Sequence, residues 1–265
     1  MKLNILILLL FFTIFQSKAD QIYELIKIPN LKIYQIDKEN NLRYLTPKKD
    51  FVTNSGINNV SCKKSKNDKV EEKYIKTKNE LDDYKKTFFK KIKLKYIVLC
   101  EKLKVGEVNA LGFANPEMET ILLNINVNNK NFERVIHHEV FHIIENNYKK
   151  FFPDTVWAKF NKPNFYYSGS LANPEAFSLE KLSNTNGFFS EYAKYSISED
   201  MAETFSFINS REKYVSEVIN LDKILNKKVI FIKEGILNIK KSMTNFIKLA
   251  ANIRYFFDLK SSSKK

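Results

Sequence analysis

His138-Glu139-Val140-Phe141-His142 is the stretch that decides how this chain is read. All three histidines of the sequence, His137, His138 and His142, fall in or beside it. Residues four apart on an α-helix share one face, so the pattern H-E-x-x-H aims two imidazoles at a single ion. Glu139 then projects beside that ion, where a carboxylate can take a proton from an activated water. His137 is five residues from His142 and points elsewhere, so it is not expected to be a ligand. The motif requires a helix. Phe132, Val135, Ile136, Ile143 and Ile144 mark one that runs to about Asn146, with capping residues between Asn128 and Asn131.

Working outward, Thr120 to Val127 reads as a strand entering the motif helix, and Gly106 and Gly112 punctuate a loop before it. Tyr96-Ile97-Val98-Leu99 lies in a strand from Lys95 to Cys100. Val70, Tyr74, Leu81, Tyr84 and Phe88 recur at helical spacing and predict one amphipathic helix over 68–91. Gln21 to Ile36 offers short strands, and the polar segment 46–59 reads as loop. On the other side, Trp157 to Tyr167 is aromatic and turn-rich, and 168–186 is loop-like. Ser198 to Phe207 reads as a helix capped by Ser198, with further amphipathic helices over 212–225 and 233–255. No internal repeat is visible.

The first nineteen residues read as a cleavable signal peptide. Lys2 precedes an apolar run from Leu3 to Phe15, and Ser17-Lys18-Ala19 supplies small residues for cleavage near Ala19. The run is short for a membrane span, an uncleaved anchor being the alternative. The expectation is a secreted or periplasmic protein. Its domains would be a signal peptide at 1–19, one domain at 20–259 and a disordered basic tail at 260–265. Within the domain, 20–111 would be an N-terminal α+β part and 112–259 the catalytic part. Net charge is +14, and losing Lys2 and Lys18 with the leader lowers it to +12. The excess is dispersed and mixed with acids, so it reads as a solvated surface, and no nucleic acid is expected. In an exported protein, Cys62 and Cys100 suggest a disulfide, adding about 3–4 kcal/mol if unstrained. Asn59-Val60-Ser61 is a glycosylation sequon, meaningful only in a eukaryote.

A catalytic zinc takes three protein ligands and keeps a position open for water. No histidine remains for the third ligand, so a carboxylate or a cysteine must supply it. The acidic candidates cluster in Glu199-Asp200-Met201-Ala202-Glu203. Glu199 and Glu203 are again four apart, so one can bind metal while the other supports a ligating histidine. Spacing leaves open which does which.

Phe189-Ser190-Glu191-Tyr192-Ala193, six further residues, then Asp200-Met201-Ala202-Glu203-Thr204-Phe205 resembles a segment of the lethal-factor-like zinc endopeptidases. That group includes the catalytic domain of anthrax lethal factor and the secreted Pro-Pro endopeptidases. The resemblance covers roughly 138–207 and implies Glu199 as third ligand, Tyr192 as oxyanion stabiliser and Glu203 as supporter. Phe141 departs from it, because members usually carry Gly before the second histidine. It also implies an α+β, thermolysin-like zincin of the gluzincin type. Such a fold has a small mixed sheet, an edge strand over the H-E-x-x-H helix and a mostly helical C-terminal part. In zinc peptidases of the thermolysin type the strand before the motif helix lines the groove, and a peptide can pair with it. Thr120 to Val127 is the candidate here, although it could equally be interior.

The function expected is metal-assisted peptide hydrolysis by a monomeric endopeptidase, with one Zn²⁺ held by His138, His142 and Glu199. Glu139 would move the water proton to the leaving amine, and Tyr192 would donate to the oxyanion. The competing reading is an exported basic protein that docks on polyanions or a membrane surface, with a structural or degenerate zinc site. Polyanion binding that weakens with salt, without chelator-sensitive proteolysis, would mark the second.

Overall fold

The computed structural model describes residues 30–55, 58–84, 87–169, 182 and 185–261. The expected leader at 1–19 and most of 168–186 lie outside the described residues, as do the last four positions. The chain divides into two compact units, 1–147 and 148–265. The architecture is α+β.

The first unit is built on a five-stranded sheet. Its strands are β1 (Leu31–Asp37), β2 (Leu42–Pro47), β5 (Tyr96–Cys100), β8 (Gly112–Asn115) and β9 (Thr120–Asn124), in the order β1-β2-β5-β9-β8. β2, β5 and β9 run parallel, and the outer strands β1 and β8 pair antiparallel. Side chains alternate across a strand, and here both faces are apolar. Leu45, Val98, Cys100 and Leu122 face a second sheet through Phe51, Val60, Cys62 and Leu103. Tyr44, Ile97, Leu99, Ile121 and Leu123 are buried on the opposite face. That face packs on α1 (Asn67–Asp82) and α3 (Asn129–Asn147).

The second sheet is antiparallel, ordered β3 (Phe51–Ser55), β4 (Asn58–Cys62), β6 (Leu103–Val105) and β7 (Val108–Ala110). It corrects two expectations. The segment 46–59 is largely strand rather than loop, and the stretch around Gly106 and Gly112 holds three short strands. Gly106 makes the β6–β7 turn at φ 59°, a left-handed conformation that glycine adopts without steric cost. The expected disulfide joins Cys62 of β4 to Cys100 of β5, with Cα atoms 5.3 Å apart, and so ties the two sheets together.

One more expectation shifts, and one open alternative closes. The helix over 68–91 is two helices, α1 and α2 (Phe88–Ile92). Asp82 and Asp83 sit at the C-terminus of α1, where the helix dipole disfavours negative charge. The strand entering the motif helix is interior, because β9 lies between β5 and β8. Among the described residues, the edge strand on that side of the sheet is β8.

The second unit is helical: α4 (Asp154–Trp157), α5 (Ile197–Ser210), α6 (Glu212–Val218) and the long α7 (Lys223–Ser261). α7 absorbs both the end of the helix expected at 212–225 and the one expected at 233–255. Phe189, Phe207, Val215, Leu225 and Val229 form one core cluster. Phe152, Trp157, Phe160 and Phe231 pack edge-to-face beside it.

Candidate metal centre

α3 carries the motif because its apolar face is wide and continuous. Phe132, Ile136, Val140, Phe141, Ile143 and Ile144 are all fully buried. This fixes the rotation of the helix and hence the direction of His138 and His142. Their Nε2 atoms lie 3.1 Å apart. Two ligands at zinc–nitrogen distance in a tetrahedral shell would be about 3.3 Å apart, so the pair is spaced for one ion. Nδ1 of His142 has the Glu145 carboxylate at 3.8 Å. That is beyond hydrogen-bond length, but on the side where a carboxylate supports a ligating imidazole. Glu145 was missed in the sequence although it is three residues from His142, a spacing that places it on the same helical face.

His137 is turned away and occupied elsewhere. Its Nδ1 is 2.7 Å from Tyr84 Oη and its Nε2 is 3.2 Å from a Glu80 oxygen. Burial pushes the Tyr84 phenol far above its ordinary range, so it keeps its proton. The carboxylate only accepts. The consistent assignment has Tyr84 donating to Nδ1 and Nε2–H donating to Glu80. His137 therefore pins α1 to α3.

Glu139 is buried and leaves α3 beside β8. At Gly112 of that strand, a Cβ would fall 2.6 Å from Glu139 Cγ and 2.7 Å from its Cδ.

In the second unit, α5 begins at Ser196, not at the expected Ser198. Ser196 Oγ accepts the Glu199 backbone N–H at 3.2 Å, which fixes the first turn that carries Glu199. Ser196-Ile197-Ser198-Glu199 has the S-x-x-E spacing of a capping box, a signal that was available in the sequence. Glu203, one turn on, is buried and accepts from Ser190 Oγ. Tyr192 opens a 3-10 turn, Tyr192–Lys194, and its ring stacks on Tyr195 at 6.3 Å.

One donor atom from each of His138, His142 and Glu199 lies within 4.8 Å of the others. Two imidazole nitrogens and a carboxylate oxygen are a donor set that suits zinc and leaves coordination positions for water or substrate.

An H-E-x-x-H helix beside a sheet edge, with a carboxylate near its imidazoles, is the arrangement of the zinc-binding peptidase class. Residues 70–245, from α1 into α7, match the family model described as "Putative zinc-binding metallo-peptidase", and the chain belongs to that family. No curated protein and no solved structure matches it. Among the described residues, no helix is long and apolar enough to cross a membrane.

Proposed function

We propose that this is an exported, monomeric zinc endopeptidase of the gluzincin type, with His138, His142 and Glu199 as its three ligands to one ion. The observation that carries the reading is the convergence of those three donors within 4.8 Å. When bound, the zinc would polarise the scissile carbonyl and lower the pKa of a coordinated water towards about 7.

The chain's own residues do the rest. Glu139, one residue after the first ligand, takes the proton of the attacking water and returns it to the leaving amine. Tyr192 donates a hydrogen bond to the oxyanion, a role that can be worth about 3 kcal/mol. Glu203 supports the ligand set from the helix turn after Glu199. An extended peptide pairs with the outer edge of β8, the last strand of its sheet among the described residues. A cleavable leader ending near Ala19 takes the chain to a secreted or periplasmic location, where the Cys62–Cys100 bond persists.

The test is cleavage of a peptide library with and without a zinc chelator, alongside Glu139→Gln. The expected outcome is chelator-sensitive hydrolysis that falls by about 10³-fold or more in the variant, with one zinc per chain retained. Full activity in Glu139→Gln would remove the base assignment. Salt-sensitive polyanion binding without hydrolysis would favour the binding-protein reading.

A further inference from the structure

Gly112 opens β8, and its backbone does not require glycine. Among the described glycines, only Gly106, Gly169 and Gly187 have positive φ. At Gly112 the backbone is open to any L-residue, and what excludes a side chain is Glu139. A Cβ there would meet Glu139 Oε1, Cγ and Cδ, the last two at 2.6 and 2.7 Å. Swinging the carboxylate about its last bond relieves only part of this, because Cγ lies too close as well. Either the whole arm must change rotamer or the strand must move.

The strand is the harder of the two to shift. Gly112, Phe113, Ala114 and Asn115 are each in register with β9, from Leu123 to Thr120. Just upstream, Asn124 N donates to Leu111 O at 2.9 Å and Asn124 Nδ2 donates to Ala110 O at 3.0 Å. β9 is in turn held by β5 along its length. The Glu139 arm is therefore what would give way.

We propose that Gly112 is a positioning residue for the reaction: the space left by its missing side chain is the slot in which the Glu139 arm stands. This rests on Glu139 being the proton-transferring base. A misplacement of about 1 Å in such a group can cost about 10²-fold in rate.

Gly112→Ala should lower kcat by about 10²-fold, with KM within about threefold and zinc stoichiometry unchanged. A methyl that only obstructed the peptide would instead raise KM at constant kcat, and that result overturns the proposal. Glu139→Ala removes Cγ, Cδ and Oε1 together and with them the contact. The double variant Gly112→Ala/Glu139→Ala should therefore be no slower in its residual rate than Glu139→Ala alone, and losses that multiply would count against the slot.

If Gly112→Ala folds poorly, it is placed in the Glu139→Ala background, where the colliding atoms are gone. Melting there should equal that of Glu139→Ala alone, and a further loss of stability shows that the clash lies elsewhere. The two readings fail separately. An active Glu139→Gln removes the base, whereas an inactive Glu139→Gln with a fully active Gly112→Ala removes only the slot.

Discussion

The helix that carries the histidine pair and the turn that carries Glu199 are seated by opposite means. α3 is held by apolar packing, with Phe132, Phe141 and four aliphatic residues fully buried along one face. The first turn of α5 is held at Asp200, next to Glu199, by a buried polar knot. One Asp200 oxygen accepts from Trp157 Nε1 at 2.9 Å, Tyr167 Oη at 2.8 Å and Lys228 Nζ at 2.6 Å. Lys228 also donates to Gly187 O at 2.7 Å and lies 3.9 Å over the Phe188 ring. Burial pushes the Asp200 carboxyl upward, and Lys228, Tyr167 and Trp157 oppose that push. An apolar seat weakens in proportion to the volume removed. A polar seat fails when one member leaves, because the remaining charge stays buried.

The sharpest way to break the polar seat is Lys228→Met. It leaves Asp200 in the core without its cation and should cost about 4 kcal/mol, read by denaturant unfolding. Adding Asp200→Asn keeps an acceptor for Trp157 and Tyr167 but removes the charge, and should recover most of that loss. A double variant as unstable as Lys228→Met would mean that the cation matters for its packing rather than its charge. On the apolar side, Phe141→Ala should cost about 3 kcal/mol through the cavity it opens, with most of it restored by Phe141→Leu. The same experiment bears on the departure from the lethal-factor-like pattern, since Phe141 is a core residue in this chain.

The same contrast explains what could be read from the sequence. The histidine pair is a local fact: four residues, one helix and an apolar stripe that dictates its rotation. Cys62 and Cys100 were legible because only two cysteines exist. The placement of Glu199 is non-local, and nothing in its own helix chooses between it and Glu203. The second sheet was hidden for another reason. Its strands are three to five residues long, and stretches such as Asn58-Asn59 and Val108-Asn109 lack the alternation that announces a half-buried strand. β8 was hidden similarly, because Gly112-Phe113-Ala114-Asn115 has low strand propensity and gains its place by pairing with β9. Ser196 and Ser198 both precede the apolar run of α5, and the serine three residues before Glu199 is the one with capping-box spacing.

The smallest effect comes from the start of α7, where a polar cap is half-buried instead of fully enclosed. Asp222 Oδ1 accepts from the backbone N–H of Ile224 at 2.9 Å and of Leu225 at 3.0 Å. Its Oδ2 accepts from Thr185 Oγ1 at 2.6 Å and Gly187 N at 2.7 Å. Desolvation alone would raise this carboxyl, but the bonds from Thr185, Leu225, Gly187 and Ile224 outweigh it and hold its pKa below the ordinary 3.8. A depressed carboxylate pKa stabilises the fold above the unfolded value, and that contribution is lost as pH falls through the folded one. Asp222→Ala should therefore cost about 1 kcal/mol at pH 6, in the range of a lost helix cap. The gap between variant and parent should close as the pH is taken below 3.8. A gap independent of pH would assign the cap to its shape alone, whereas closure would mark its charge as what fixes the loop at Gly187 to the helix that also supplies Lys228.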